Sequence, residues 1–180
     1  MNNITSELAK LHELTGAEFS RQVERIALRK EFHPLETDEN IYSVGGEKSD
    51  DYQNLLIAAR KAVEFGYKVY MLPNPTETRT PDFILYKKGV YRPYDLKTVF
   101  GKASIGDNLL DSVGQCNNIL INMTTEYNTR RLAYVIKRYF EVNERAWEVL
   151  IFKGRKRIPI KRSLVLKPEF FAYFKKAYER

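Results

Sequence analysis

Cysteine and histidine are scarce in this chain of 180 residues. A single cysteine, Cys116, excludes an intramolecular disulfide framework and a cysteine-built zinc site, and suits a small buried hydrophobe. Two histidines, His12 and His33, leave little for a histidine metal cage or a nucleophilic triad. The same shortage disfavours a metal-independent ribonuclease using either histidine as acid or base. No apolar run approaches twenty residues, so no membrane-spanning helix is expected, and the Met1 end lacks a signal-peptide pattern. Neither G-x-x-x-x-G-K-[ST] nor G-x-G-x-x-G occurs, which excludes the two common nucleotide-binding loops. Repeats and low-complexity tracts are missing as well.

Positive charge, aromatic residues and regular apolar patterning are present in quantity. Thirty Lys and Arg against 23 Asp and Glu leave a formal charge of +7, which favours a polyanionic partner. Length and apolar content suit one domain with a real core. Leu8, Leu11 and Leu14, then Phe19, Val23 and Ile26, recur at helical spacing over 4–15 and 17–31, broken at Thr15-Gly16. Residues 32–48 read as loop with a short strand at 41–44. A helix is expected from Ser49 to Gly66, strands at 67–72, 82–87 and 90–100, and a helix over 107–117. A strand at 119–123, an amphipathic helix over 128–142, strands at 147–152 and 157–160, and a last helix from Pro168 complete the order.

The chemistry concentrates between Pro81 and Thr98, PDFILYKKGVYRPYDLKT. Lys87-Lys88-Gly89 reads as a tight hairpin turn with Gly89 in the left-handed position. Asp95 and Lys97 are two apart and share one face of a strand, while Leu96 points to the other. The hairpin brings Asp82 near both. Two carboxylates and an ammonium on one patch suit a divalent cation, Mg²⁺ or Mn²⁺, with a positive side chain beside it. Phosphodiester hydrolysis needs this equipment. Without that context the same residues also describe a solvated surface hairpin.

The Pro-Asp, hairpin, Asp-x-Lys pattern resembles the PD-(D/E)xK nuclease superfamily, and the element order over 49–123 is similar to its core. The resemblance implies an α/β fold with a restriction-endonuclease-like core, a central mixed sheet flanked by helices, and added N-terminal helices. It implies Asp82 and Asp95 as metal ligands, Lys97 as a catalytic residue, and a further acidic residue from the first core helix. Asp51 begins the stripe Leu55, Ala58 or Ala59, Ala62, and so is expected to face the sheet. Glu47, one turn upstream, is held in reserve, and Asp50 and Glu64 fall nearer solvent. Asp51 also suits a plain first-turn carboxylate complementing the helix dipole. Residues 1–48 read as a helical extension packed on a 49–180 nuclease domain.

A narrower resemblance runs through GYKVYMLPNP, RTPDFIL, YDLKT, DSVGQ and ILINM. These segments look like the C-terminal tRNA-cleaving toxin domains of contact-dependent growth inhibition and other polymorphic toxin systems, and related phage-associated modules. That implies action on tRNA before DNA in the cytoplasm of a recipient bacterium, and neutralisation by an immunity protein, for which the chain's basic charge calls for an acidic surface. The competing readings are a DNA endonuclease of repair or phage processing, and a non-catalytic nucleic-acid-binding module.

Other polar residues are weaker candidates. Lys102 in GKASIG suits a phosphate contact, and Ser112 and Gln115 are placed to reach the site from the following helix. Lys153, Arg155, Lys156 and Arg157 form the densest basic cluster, continued by Lys161 and Arg162. With Arg130 and Arg131, and with Lys137 and Arg138, they are the expected nucleic-acid contacts.

Overall fold

The computed structural model describes residues 3–73, 79–101, 105–114 and 116–180. Eight strands and seven helices alternate among them, in an α/β arrangement that forms two compact units, Met1–Asp95 and Leu96–Arg180. That division differs from the expected one at residue 48. Among the described residues each unit has an apolar core cluster of its own.

In the first unit, α1 (Asn3–Ala9), a 3-10 turn (Leu11–Glu13) and α2 (Gly16–Ala27) bury Ile4, Leu8, Leu11, Val23 and Ile26 against Tyr70, Leu72 and Ile84. Burial among these residues pushes the Tyr70 phenol up to about 12. The N-terminal helices therefore complete this core. Strands β1 (His33–Leu35) and β2 (Asp38–Ser43) pair antiparallel, where only a strand at 41–44 was expected. His33-Pro34 conceals β1 because it reads as loop. β2 pairs parallel with β3 (Lys68–Met71), with α3 (Tyr52–Glu64) as the crossover between them. Alternation along β3 sends Tyr70 toward α1 and α2, and Val69 and Met71 the other way, all of them buried.

Antiparallel pairing continues from β3 to β4 (Phe83–Lys87) and from β4 to β5 (Val90–Val99). Lys87 lies opposite Val90, so Lys88-Gly89 forms a two-residue hairpin turn. Both residues have positive φ, 50° and 80°, as the twist of a hairpin with this turn requires. The expected Gly89 position is met, and Lys88 joins it there.

In the second unit, β6 (Asn118–Met123) pairs parallel with β7 (Glu148–Lys153), which pairs antiparallel with β8 (Lys156–Lys161). α5 (Thr129–Val142) buries Leu132, Ile136, Tyr139 and Phe140, and α7 (Phe170–Glu179) buries Phe170, Phe174 and Tyr178 in the same core. Asn128 starts α5 by accepting the Arg131 N–H at 2.9 Å. The helix expected over 107–117 is shorter, α4 (Ile105–Leu110) followed by turns. Ser112 is buried and its hydroxyl donates back to the Asn108 carbonyl at 3.2 Å, a bond that competes with helix continuation. A one-turn helix, α6 (Arg162–Val165), was not expected.

Three helices end against a basic side chain. α3 closes with Gly66 at φ 81°, the Gly66 N–H on the Val63 carbonyl and the Tyr67 N–H on the Ala62 carbonyl, and Lys87 donates to the carbonyl of Phe65. Arg162 donates to the carbonyls of Phe140, Asn143 and Ala146 at the end of α5. Lys153 and Lys156 both donate to the Tyr178 carbonyl of α7, at 3.1 and 3.0 Å. Cations here meet helix-end carbonyls and the negative end of the helix dipole.

Lys88 is the one described non-glycine residue with positive φ, so its backbone carries a left-handed penalty of about 1–2 kcal/mol. Lys88→Asn should raise stability by roughly 0.5–1 kcal/mol, because Asn tolerates that conformation. Urea unfolding at constant slope checks this, and no gain would mean that the turn is not limiting.

Candidate functional site

The hairpin fixes the two carboxylates through backbone bonds. Asp82 immediately precedes β4; its N–H donates to the Tyr94 carbonyl at 2.9 Å, and its own carbonyl accepts from the Leu72 N–H at 2.9 Å. Regular pairing sets Phe83 opposite Tyr94, so the Asp82 bond to the same Tyr94 departs from the ladder by one residue. Asp82 is thereby held beside the Tyr94-Asp95 step of β5. Asp82 is 8% exposed and Asp95 3%.

Along β5, Asp95 and Lys97 flank Leu96, which is itself buried, so the two polar side chains share one side of the strand. Lys97 is half-buried. Thr98 points to the opposite side.

The helix carboxylates are placed differently from expectation. Asp51 is exposed at the N-cap of α3, and its Oδ1 accepts from Asn54 Nδ2 at 2.6 Å. Helical spacing does not extend to it, because an N-cap residue lies outside helical φ and ψ. The expectation that Asp51 opens the buried stripe is thus corrected. Leu55, Leu56, Ala58, Ala59 and Ala62 form that stripe without it. Glu47 instead lines a cleft of about 360 Å³ with Ser43, Lys48, Tyr52, Leu72 and Pro73. The cleft opens where the parallel strands β2 and β3 end and α3 begins. Crevices at such strand ends are where open α/β sheets bind ligands. Leu72 is also the residue whose N–H holds the Asp82 carbonyl. Among the described residues, no three Asp, Glu, His or Cys side chains group closely enough to hold a metal ion by themselves.

Part of the expected basic surface is committed to structure. Lys153 Nζ sits 3.9 Å from the Tyr178 ring centroid, 3.2 Å from Glu126 Oε2, and on the Tyr178 carbonyl, which Lys156 shares. Burial, with Glu126 second, pushes the Tyr178 phenol up to about 12. Arg162 is the cap of α5. These three residues, expected in the basic cluster, are helix-end partners, because the carbonyls lie within reach and carry the complementary charge. Arg155, Arg157, Arg130 and Arg131 are exposed. Lys102 and Gln115 lie outside the described residues, and Ser112, in the turns after α4, donates its hydroxyl to the Asn108 carbonyl.

Two residues absent from the sequence expectations, Phe171 and Lys175, line a groove with Arg130 between α5 and α7. The signal was available in α7: Phe171 and Lys175 are four apart, on a face beside the buried Phe170 and Phe174.

No protein-family model matches the chain, and no curated protein matches it. Among solved structures, the chain is similar to a CdiA-CT/CdiI toxin and immunity complex from Burkholderia pseudomallei. Identity is 16%, over 66% of this chain and 98% of that one, with a TM-score of 0.43. A likeness of this size carries no argument about fold or activity. No described helix is long and apolar enough to cross a membrane.

Lys156→Gln should lower stability by about 0.5–1 kcal/mol through loss of a helix-end cation, while leaving the salt slope of nucleic-acid binding unchanged. Paired urea melts and binding titrations check both halves. A flattened salt slope would return Lys156 to the phosphate contacts.

Proposed function

We propose that this chain is a metal-dependent endonuclease of the PD-(D/E)xK type that cuts nucleic acid with Asp82, Asp95 and Lys97. One observation carries the reading: two carboxylates, 8% and 3% exposed, are held at neighbouring backbone positions by the Asp82 N–H to Tyr94 bond, on the strand that bears Lys97. Two hard oxygen donors suit Mg²⁺ or Mn²⁺. Mg²⁺ in particular is held by one or two carboxylates, with waters and substrate phosphates completing its shell, so a full protein cage is not required. When bound, the ion supplies Lewis-acid polarisation of the phosphate and a lowered pKa for water.

The chain's own residues have distinct parts. Asp82 and Asp95 would hold and orient the ion. Lys97 donates toward the charge that develops on the phosphoryl oxygens or positions the attacking water. Of the two carboxylates expected from the first core helix, Glu47 is the better placed, since it lines the cleft that Leu72 also lines whereas Asp51 is bonded to Asn54. Both are exposed, and neither groups with Asp82 and Asp95 closely enough to share an ion directly.

The biological reading rests on sequence resemblance: a toxin domain that cleaves tRNA in the cytoplasm of a recipient bacterium and is neutralised by an acidic immunity protein. The formal charge of +7 suits both partners, the nucleic acid and an acidic inhibitor.

Purified protein incubated with total tRNA and with plasmid, in Mg²⁺ and in EDTA, tests the proposal. Cleavage of tRNA in Mg²⁺ alone is expected. Asp82→Ala and Asp95→Ala should abolish it with the fold intact by circular dichroism, and Lys97→Ala should lower turnover about 10²–10³-fold. Full activity of either aspartate variant would defeat the metal-site reading. Binding without cleavage would leave a nucleic-acid-binding module, and plasmid cut with tRNA intact would leave a DNA endonuclease.

Expression in a bacterium should arrest growth, and the Asp95→Ala form should not. Continued growth with soluble wild-type protein would remove the toxin assignment.

A further inference from the structure

The α5–α7 groove lies wholly within the second unit and has a volume of about 550 Å³. Arg130 and Ala133 line it from α5, and Phe171, Ala172 and Lys175 from α7. Arg130 and Ala133 are three apart on α5, and Lys175 is four from Phe171 and three from Ala172 on α7, so each set shares one side of its helix. Lys137, one turn beyond Ala133, holds its ammonium 5.7 Å from the Phe171 ring centroid. Arg130 and Lys137 are therefore roughly 10 Å apart along α5, at 1.5 Å per residue. Glu179, the one acid of the lining, already accepts the Thr129 hydroxyl at 2.9 Å.

Phe171 is 38% exposed although a phenyl ring gains by burial, and its ring centroid lies 5.6 Å from that of the buried Phe170. Tyr134, on the turn of α5 after Arg130, is 63% exposed. The basic residues that cap helices elsewhere in this unit are absent from the groove. Its cations face outward, at Arg130 and Lys175.

We propose that this groove is a docking site for a single-stranded stretch of nucleic acid, with phosphates on Arg130, Lys137 and Lys175 and a base stacked on Phe171. The proposal rests on the nuclease reading for its substrate class. Cations spaced along a groove with an exposed, pre-positioned aromatic ring match how single strands are gripped without reading their sequence. A protein partner fits less well: interface centres are depleted in lysine, and the apolar part of this lining is two alanines and one ring.

The experiment measures fluorescence anisotropy of a labelled single-stranded RNA of about 12 nucleotides, in EDTA, in the Asp95→Ala background. Arg130→Gln/Lys175→Gln should weaken binding about tenfold or more and flatten the salt slope by roughly 1.4, at ~0.7 per lost phosphate contact. Phe171→Leu, which keeps apolar bulk, should weaken binding at least about fivefold with the slope unchanged, because a stack carries no charge. Arg21→Gln/Lys30→Gln removes the same charge from exposed positions in the first unit and should change affinity far less. Equal losses in the two double variants, or unaltered binding by Phe171→Leu, would overturn the groove as a docking site. Failure of the unsubstituted protein to cleave tRNA or plasmid would defeat the nuclease reading and leave this binding result standing.

Discussion

Two backbone hydrogen bonds at Asp82 constrain the chemistry of the first unit. One ties its carbonyl to the Leu72 N–H beyond β3, and the other ties its N–H to the Tyr94 carbonyl of β5. Both are backbone bonds, so they hold the residue in place without using its carboxylate. The pairing of β3, β4 and β5 on one side, and α1 and α2 over Tyr70, Leu72 and Ile84 on the other, brace those bonds. A loop residue is thus held with the rigidity of a strand. A site that binds a hard cation depends on such rigidity, because misplaced oxygens lose coordination quickly.

The positive charge of the chain divides into two uses. Lys87, Arg162, Lys153 and Lys156 lie against the carbonyl ends of α3, α5 and α7. There a cation satisfies orphan acceptors and complements the dipole at once, which a neutral donor does only in part. Others, Arg130 and Lys175 among them, are exposed and shape the field that a polyanion meets. Net charge by itself does not separate these uses. Geometry at the helix ends does.

Much of the fold was legible in the residue pattern, for identifiable reasons. The hairpin of β4 and β5 follows from two strand-like runs around the turn Lys88-Gly89, and α5 from its apolar stripe. β1 was hidden by the three-residue span His33–Leu35 with a proline in it. The two-unit division left no trace in composition, because its boundary falls inside β5, between Asp95 and Leu96, where no linker exists. Asp51 misled because helical period was applied to a residue that stands just outside the helix.

Local pattern determined the strand pair, the shared side of Asp95 and Lys97, and the buried stripes, since side-chain alternation and turn chemistry act between near neighbours. Tertiary structure decided which charges remain for a partner. Lys156 and Arg155 are adjacent and alike in sequence, yet one reaches the Tyr178 carbonyl and the other faces solvent. That choice depends on where a distant helix ends, and a hydrogen bond across the chain is set by packing rather than by the residues beside it.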